Sequence, residues 1–214
     1  MKYKPLIAQT DLKYRAIVLA YITIFYNLAE GIVSVYFGLE DETLSLFGFG
    51  LDSFVEVISG VGILHMLLRV KSTGEIRDEF EKRALKITGT GFYLLAAGII
   101  FTAIYNLVIN HKPETTFWGV IISLISIFTM TMLIYFKKKV GRALKSDALI
   151  ADANCTKTCL YLSIILLVSS IAYEFFKIGG IDSIGALLIS YFSFKEGKEA
   201  FAKSKTNTYC SCED

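Results

Sequence analysis

Six long apolar runs dominate this sequence and limit the folds that are open to it. A helix needs roughly 20 mostly apolar residues to cross a bilayer. Six segments meet this requirement, at 15–37, 44–68, 87–110, 115–136, 147–176 and 179–201. Hydrophobic residues make up 54% of the 214-residue chain, more than is usual in a soluble domain. The sequence therefore predicts an all-α polytopic membrane protein with six transmembrane helices, forming one transporter domain over 15–201.

Basic residues are distributed unevenly among the segments that connect these runs. They cluster before the first run, between the second and third, between the fourth and fifth, and after the sixth, whereas Lys112 and Lys177 are the only basic residues in the other connections. Cytoplasmic connections carry the excess of lysine and arginine. This pattern places both termini in the cytoplasm, with residues 1–14 as an N-terminal segment and 202–214 as a tail. We expect the plasma membrane as the location. The net charge of +2 gives no basic field for nucleic acid.

Two pairs of metal-ligating side chains lie inside the predicted membrane region. Asp52 and Glu56 are spaced i,i+4 in the second run, and Cys155 and Cys159 have the same spacing in the fifth. This spacing puts each pair on one helix face. Counted along the helix from opposite sides, both pairs lie roughly 12–18 Å into the membrane. Two carboxylates and two thiolates at one depth predict a four-coordinate site for Zn²⁺ or a softer ion.

Other polar residues are predicted to support this site. Glu30 in the first run either supports a metal ligand from behind or carries a proton, and Asp152 either faces the site or pairs with Lys157. Asp182 either caps the last helix or lines an outer vestibule. In the tail, Cys210 and Cys212 form a CxC element that would capture a soft metal or else lie in a reduced, unstructured segment. Because buried ionisable groups are unfavourable in a bilayer, each of these acids is a functional hypothesis.

The order of these motifs resembles the cation diffusion facilitator, or cation efflux, family. The agreement covers the six-helix plan, a glutamate in the first helix and an acidic-x3-acidic element in the second. It continues with charged residues leading into the third helix and an AD-type opening of the fifth. The matching stretches are Glu30, LDSFVE, EFEKRALK and ADANCTKTC, and the sixth helix adds a DSIGALLIS-like stretch that begins at Asp182. The resemblance covers nearly all of the predicted membrane region. It does not include the family's common C-terminal cytoplasmic domain, so the sequence resembles a short form of the family.

The resemblance implies export of a divalent metal from the cytoplasm in exchange for protons, usually by a homodimer. It also implies a transport site of two ligands from the second helix and two from the fifth. Asp52 and Glu56 match the first half, and Cys155 and Cys159 occupy the positions where the family typically has histidine and aspartate. Thiolates favour Zn²⁺, Cd²⁺, Hg²⁺ or Cu⁺ over Mn²⁺ and Mg²⁺. A dimer of this short form would rest on its membrane helices.

The interpretation that follows is a secondary active transporter, not an enzyme. Its partners are a Zn-like or softer metal cation, protons and the lipid bilayer, and it needs no resident cofactor. Two alternatives stay open, a membrane thiol oxidoreductase that uses Cys155 and Cys159 and a non-transporting membrane scaffold. The oxidoreductase is weaker, because i,i+4 cysteines on a helix meet disulfide geometry only with awkward Cβ directions. It also leaves Asp52 and Glu56 without a role.

Overall fold

The computed structural model describes residues 3–69, 79–178 and 180–206. Within these ranges the chain forms six α-helices and no strand, which confirms the predicted all-α class. The helices are α1 (Tyr3–Glu40), α2 (Leu44–Arg69), α3 (Glu79–Val108), α4 (Phe117–Leu144), α5 (Asp147–Phe176) and α6 (Gly180–Ser204). From Tyr3 onward, the residues of the predicted N-terminal segment are part of helix α1. Cys210 and Cys212 lie outside the described residues.

Five of the helices in the described part of the chain, α1 to α5, are long and apolar enough to cross a membrane. The sixth has 25 residues, but its second half is charged. The charged residues are Lys195, Glu196, Lys198, Glu199 and Lys203. The span predicted for α6 therefore depends on its apolar first half, 180–194. These helices make the protein an integral polytopic membrane protein.

Helix α2 lies at the centre of the bundle and contacts α1, α3, α5 and α6. The most extensive contacts join α1 to α2, α3 to α6 and α4 to α5. Two buried clusters of apolar side chains fill the bundle, one around Met66, Met130 and Leu149 and one around Phe49, Leu162 and Ile189. The central position of α2 means that an acid on its inner face meets several helices at once.

Two glycines allow α1 and α2 to pack closely along their length. A Cβ atom at Gly50 of α2 would lie 2.8 Å from the backbone nitrogen of Val35 in α1. A Cβ atom at Gly38 of α1 would lie 2.5 Å from the backbone nitrogen of Phe47 in α2. Both distances are too short for a side chain, and small residues are what allows such close approach between membrane helices.

The three connections that contain few basic residues meet at one end of the bundle. The Glu114 amide donates to the Asp41 carbonyl at 3.1 Å, which joins the third connection to the first. The Thr116 amide donates to the Glu174 carboxylate at 2.7 Å, which joins the third connection to the end of α5. Connections that share one end are what an alternating six-helix topology requires. That this end faces outward is the prediction from the basic residues.

Candidate functional site

Glu56 and Cys159 are in direct contact between α2 and α5. The Cys159 sulfur lies 2.5 and 2.6 Å from the two carboxylate oxygens of Glu56, and Cys159 is buried. The Asn27 amide of α1 donates to the same carboxylate at 3.0 Å. One acid from the predicted first pair and one thiol from the second are thus brought together, as the matched depths predicted.

Asp52 lies one turn from Glu56 on the same helix face and is bound to a different helix. Its carboxylate is 3% exposed and accepts a hydrogen bond of 2.6 Å from the Ser193 hydroxyl of α6. A hydroxyl donor satisfies a buried carboxylate without neutralising its charge. Asp52 is therefore held toward α6, although it is on the same face as Glu56.

Cys155 contacts the charged end of α6, and the hydrogen-bond partner of its sulfur is Lys203 rather than Glu56. Its sulfur lies 3.4 Å from the Lys203 ammonium nitrogen, which also lies 2.5 Å from Glu199. Cys155 and Cys159 are both free thiols. In the described residues, no three histidine, cysteine, aspartate or glutamate side chains are close enough together to hold a metal ion. Of the four predicted ligands, the structure brings Glu56 and Cys159 into contact and gives Asp52 and Cys155 other partners.

The three supporting acids have distinct environments. Glu30 is buried and accepts hydrogen bonds from the Tyr26 hydroxyl at 2.9 Å and the Ser53 hydroxyl at 3.0 Å. Because Ser53 follows Asp52 directly, Glu30 lies close to the first predicted pair. Asp182 accepts from the Leu44 amide at 2.8 Å, so it caps α2 and not its own helix.

Asp152 forms a buried ion pair with a lysine that the sequence assigned to a cytoplasmic connection. Its carboxylate lies 2.8 Å from the Lys137 ammonium nitrogen, and Lys137 is fully buried. Lys137 also donates to the Thr156 hydroxyl at 2.9 Å. The sequence left two alternatives for Asp152, facing the site or pairing with Lys157 on its own helix, whereas the ion pair observed is with Lys137 of α4.

A cavity of about 50 Å³ adjoins the Glu56 carboxylate. Two polar atoms of residues that line it, Asn27 Oδ1 and Thr88 Oγ1, are buried without a hydrogen-bond partner in the described structure. A cavity of this size and polarity holds water. The lining includes Thr23, Asn27, Glu56, Ser59, Thr88, Asp152, Cys155, Thr156, Glu196 and Lys203. Its walls therefore combine three carboxylates, a thiol and an ammonium group.

Most of these cavity residues were not singled out as site residues from the sequence, and Asn27, Thr88 and Glu196 are three of them. Asn27 and Thr88 are neutral, and nothing in their spacing distinguishes them from ordinary polar residues of membrane helices. Glu196, which accepts a hydrogen bond of 2.8 Å from Thr158, is an acid inside the sixth predicted span. The rule that selected Glu30 and Asp52, an ionisable group within an apolar run, applied to Glu196 as well.

Comparison with known proteins identifies the family of this bundle. The family model described as the cation efflux transmembrane domain matches residues 16–206. Transmembrane protein 163 of Xenopus laevis is 26% identical over 196 residues, which cover 89% of this chain and 69% of that relative. The match to the family model includes all of α2 to α6 and most of α1, and with them the acids and thiols described above. The chain belongs to the cation efflux family, whose members are membrane transporters of cations.

Proposed function

We propose that this protein exports a Zn-like or softer metal cation from the cytoplasm in exchange for protons. The single observation that carries the proposal is the buried contact between Glu56 and Cys159, since a carboxylate and a thiol at one point are ligands for a borderline or soft ion. The contact lies where α2 and α5 meet, beside a polar cavity. We place the protein in the plasma membrane as a homodimer with both termini in the cytoplasm.

The transported ion would complete its coordination by recruiting Asp52 and Cys155. A tetrahedral Zn²⁺ ion has Zn–S and Zn–O distances of about 2.3 and 2.0 Å, which puts the sulfur and oxygen ligands about 3.5 Å apart. Glu56 and Cys159 would separate to admit the ion, while Asp52 would leave Ser193 and Cys155 would leave Lys203. Two ligands in contact and two held by exchangeable partners suit a site that must bind and release its cargo.

Proton exchange follows from the chemistry of the same ligands. A thiol must lose its proton to bind a metal, and a carboxylate must be ionised, so protons and metal compete for the same atoms. Protons arriving from outside would displace the ion from an outward-facing site. Glu30 accepts a hydrogen bond from the hydroxyl of Ser53, the residue after Asp52, and from this position it would carry a proton to or from the carboxylates of Asp52 and Glu56.

The free thiols give little support to the oxidoreductase alternative. Although Cys155 and Cys159 are one turn apart, their sulfurs face Lys203 and Glu56, on two different helices. Disulfide formation would require both side chains to leave these partners and adopt a strained geometry along one helix. Within residues 3–69, 79–178 and 180–206, no feature favours a redox function over metal binding.

The test is metal transport by purified protein in sealed vesicles, with Cd²⁺, Zn²⁺, Mn²⁺ and Mg²⁺ and an imposed pH gradient. We expect pH-driven transport of Cd²⁺ and Zn²⁺ but not of Mg²⁺. Glu56→Gln should lower transport more than about tenfold, because losing even a residue that only hydrogen-bonds a metal ligand lowers metal affinity or activity by about tenfold or more. Glu79→Gln, an exposed acid at the start of α3, is the matched control. Transport that Glu56→Gln leaves unchanged, or that ignores the pH gradient, would contradict the proposal.

A further inference from the structure

A lysine ammonium group borders the cavity beside the predicted ligands. Lys203 lies near the end of α6, and its side chain is only 14% exposed. The ammonium nitrogen lies 3.4 Å from the Cys155 sulfur and 2.5 Å from a Glu199 oxygen. The same lysine lines the cavity together with Glu56 and Glu196. A positive charge therefore lies next to Cys155 and on the wall of the cavity that Glu56 lines, and both of these residues are proposed ligands of the cation.

The charges around the cavity explain why a cation is favourable there when no metal is bound. Glu56, Asp152 and Glu196 all line the cavity. Of these three acids, Asp152 is the one whose ion pair with Lys137 is observed in the described residues. Uncompensated carboxylates in a poorly hydrated region repel one another strongly. A lysine can bring positive charge into such a region from a distance, because its long apolar stem packs along the helices while its end remains polar.

We infer that the Lys203 ammonium group is a tethered cation that occupies the cavity beside Glu56 and Cys155 when no metal is bound, and that the transported metal displaces it. This inference rests on the proposed function. It explains why the Cys155 sulfur contacts the Lys203 ammonium group on the wall of the cavity that Glu56 also lines. On metal binding, Cys155 turns to the ion and the ammonium group withdraws. Glu199, one turn away on the same helix and 34% exposed, can keep its ion pair with Lys203 after this withdrawal.

A tethered competitor and a purely structural lysine predict opposite effects of removing the charge. If Lys203 competes with the metal, Lys203→Met leaves the cavity without a resident cation and tightens Cd²⁺ binding by about tenfold. The methionine retains the apolar stem, so packing along α6 is preserved. If Lys203 only holds α5 and α6 together, the same variant loosens the site and weakens binding. Lys203→Arg, which keeps the charge, should bind Cd²⁺ no more tightly than the unmodified protein.

The experiment measures Cd²⁺ affinity of the purified full-length protein at one fixed pH, together with the ultraviolet thiolate-to-cadmium charge-transfer band. We expect Lys203→Met to bind more tightly with a band at least as strong, because Cys155 is released to the metal. Lys198→Met, which removes a charge from an exposed position of the same helix, is the control and should change neither quantity. Unchanged or weaker binding by Lys203→Met would overturn the inference.

A second variant decides the question if Lys203→Met does not fold. Glu199→Gln removes the partner that the ammonium group keeps after it withdraws, and this loss disfavours the withdrawn state more than the occupied one, in which Lys203 also contacts Cys155. The variant should therefore hold Lys203 in the cavity and weaken Cd²⁺ binding. Unchanged or tighter binding would overturn the inference. Failure of the proposed function is distinguishable, because the unmodified protein and Glu56→Gln would then bind Cd²⁺ equally. If Glu56 matters and neither α6 variant has the expected effect, only the role of Lys203 is wrong.

Discussion

Removing the Lys137 ammonium group should destabilise the protein strongly, because it leaves a buried carboxylate without its counter-ion. Lys137 is fully buried, its nitrogen lies 2.8 Å from Asp152, and the Asp152 side chain is only 11% exposed. Breaking a buried ion pair by removing one partner typically costs about 3–5 kcal/mol. For a chain of this length, that corresponds to a decrease in melting temperature of roughly 6–20 °C. We therefore expect Lys137→Met to lower thermal stability by an amount in this range.

The double variant Lys137→Met/Asp152→Asn separates the ion pair from simple packing. With both charges removed, no unpaired charge stays buried, and most of the lost stability should return. The assay is thermal unfolding in detergent, with Lys139→Met as a control that removes an exposed charge from the same helix. If Lys137→Met unfolds at the same temperature as the unmodified protein, or if the double variant is less stable than the single one, the ion pair does not stabilise the bundle.

Two further predictions concern other parts of the bundle. Burial, followed by neighbouring carboxylates, raises the pKa of Asp41, so its ionised form is unfavourable in the folded state. Asp41→Asn should therefore increase thermal stability near neutral pH, by an amount that shrinks as the pH falls and Asp41 protonates. Asp11→Asn, at an exposed site, is the control and should not increase stability. Lower stability of Asp41→Asn at neutral pH would contradict this prediction. Gly50→Ala should destabilise the protein by about 1–3 kcal/mol, because its Cβ would press on the backbone of α1. Gly98→Ala, where a Cβ meets nothing within 4 Å, is the control, and equal unfolding temperatures for the two would refute the packing argument.

The number and order of the helices were predictable because long apolar runs are a direct consequence of the bilayer's thickness. Their ends were harder to place. Helix α3 already includes Glu79, which lies eight residues before the apolar run that predicted the helix. Hydrophobicity marks the part of a helix that lies in lipid, and the charged residues before it continue the same helix in water. The same reasoning explains why α1 begins at Tyr3.

The site was predictable where it depends on helix periodicity and less so where it depends on long side chains. Matched depth and i,i+4 spacing are properties of the backbone, and they anticipate the contact of Glu56 with Cys159. The contact of Cys155 with Lys203 depends on a flexible stem that reaches back from near the end of α6. Asp182 caps α2 because that helix begins beside it in space, which no local pattern in the sequence reveals.

The close glycine contacts at Gly38 and Gly50 make the first helical hairpin a single mechanical unit. Backbone atoms of α1 and α2 interlock at two levels along their length, so neither helix can slide past the other without steric overlap. Asn27 and Glu56, one on each helix of this hairpin and joined by a 3.0 Å hydrogen bond, therefore travel together in any rocking of the bundle. Cys159 belongs to α5, outside the hairpin. In the proposed transport mechanism, the seam at which the coordination of the ion opens and closes is accordingly the one between α2 and α5.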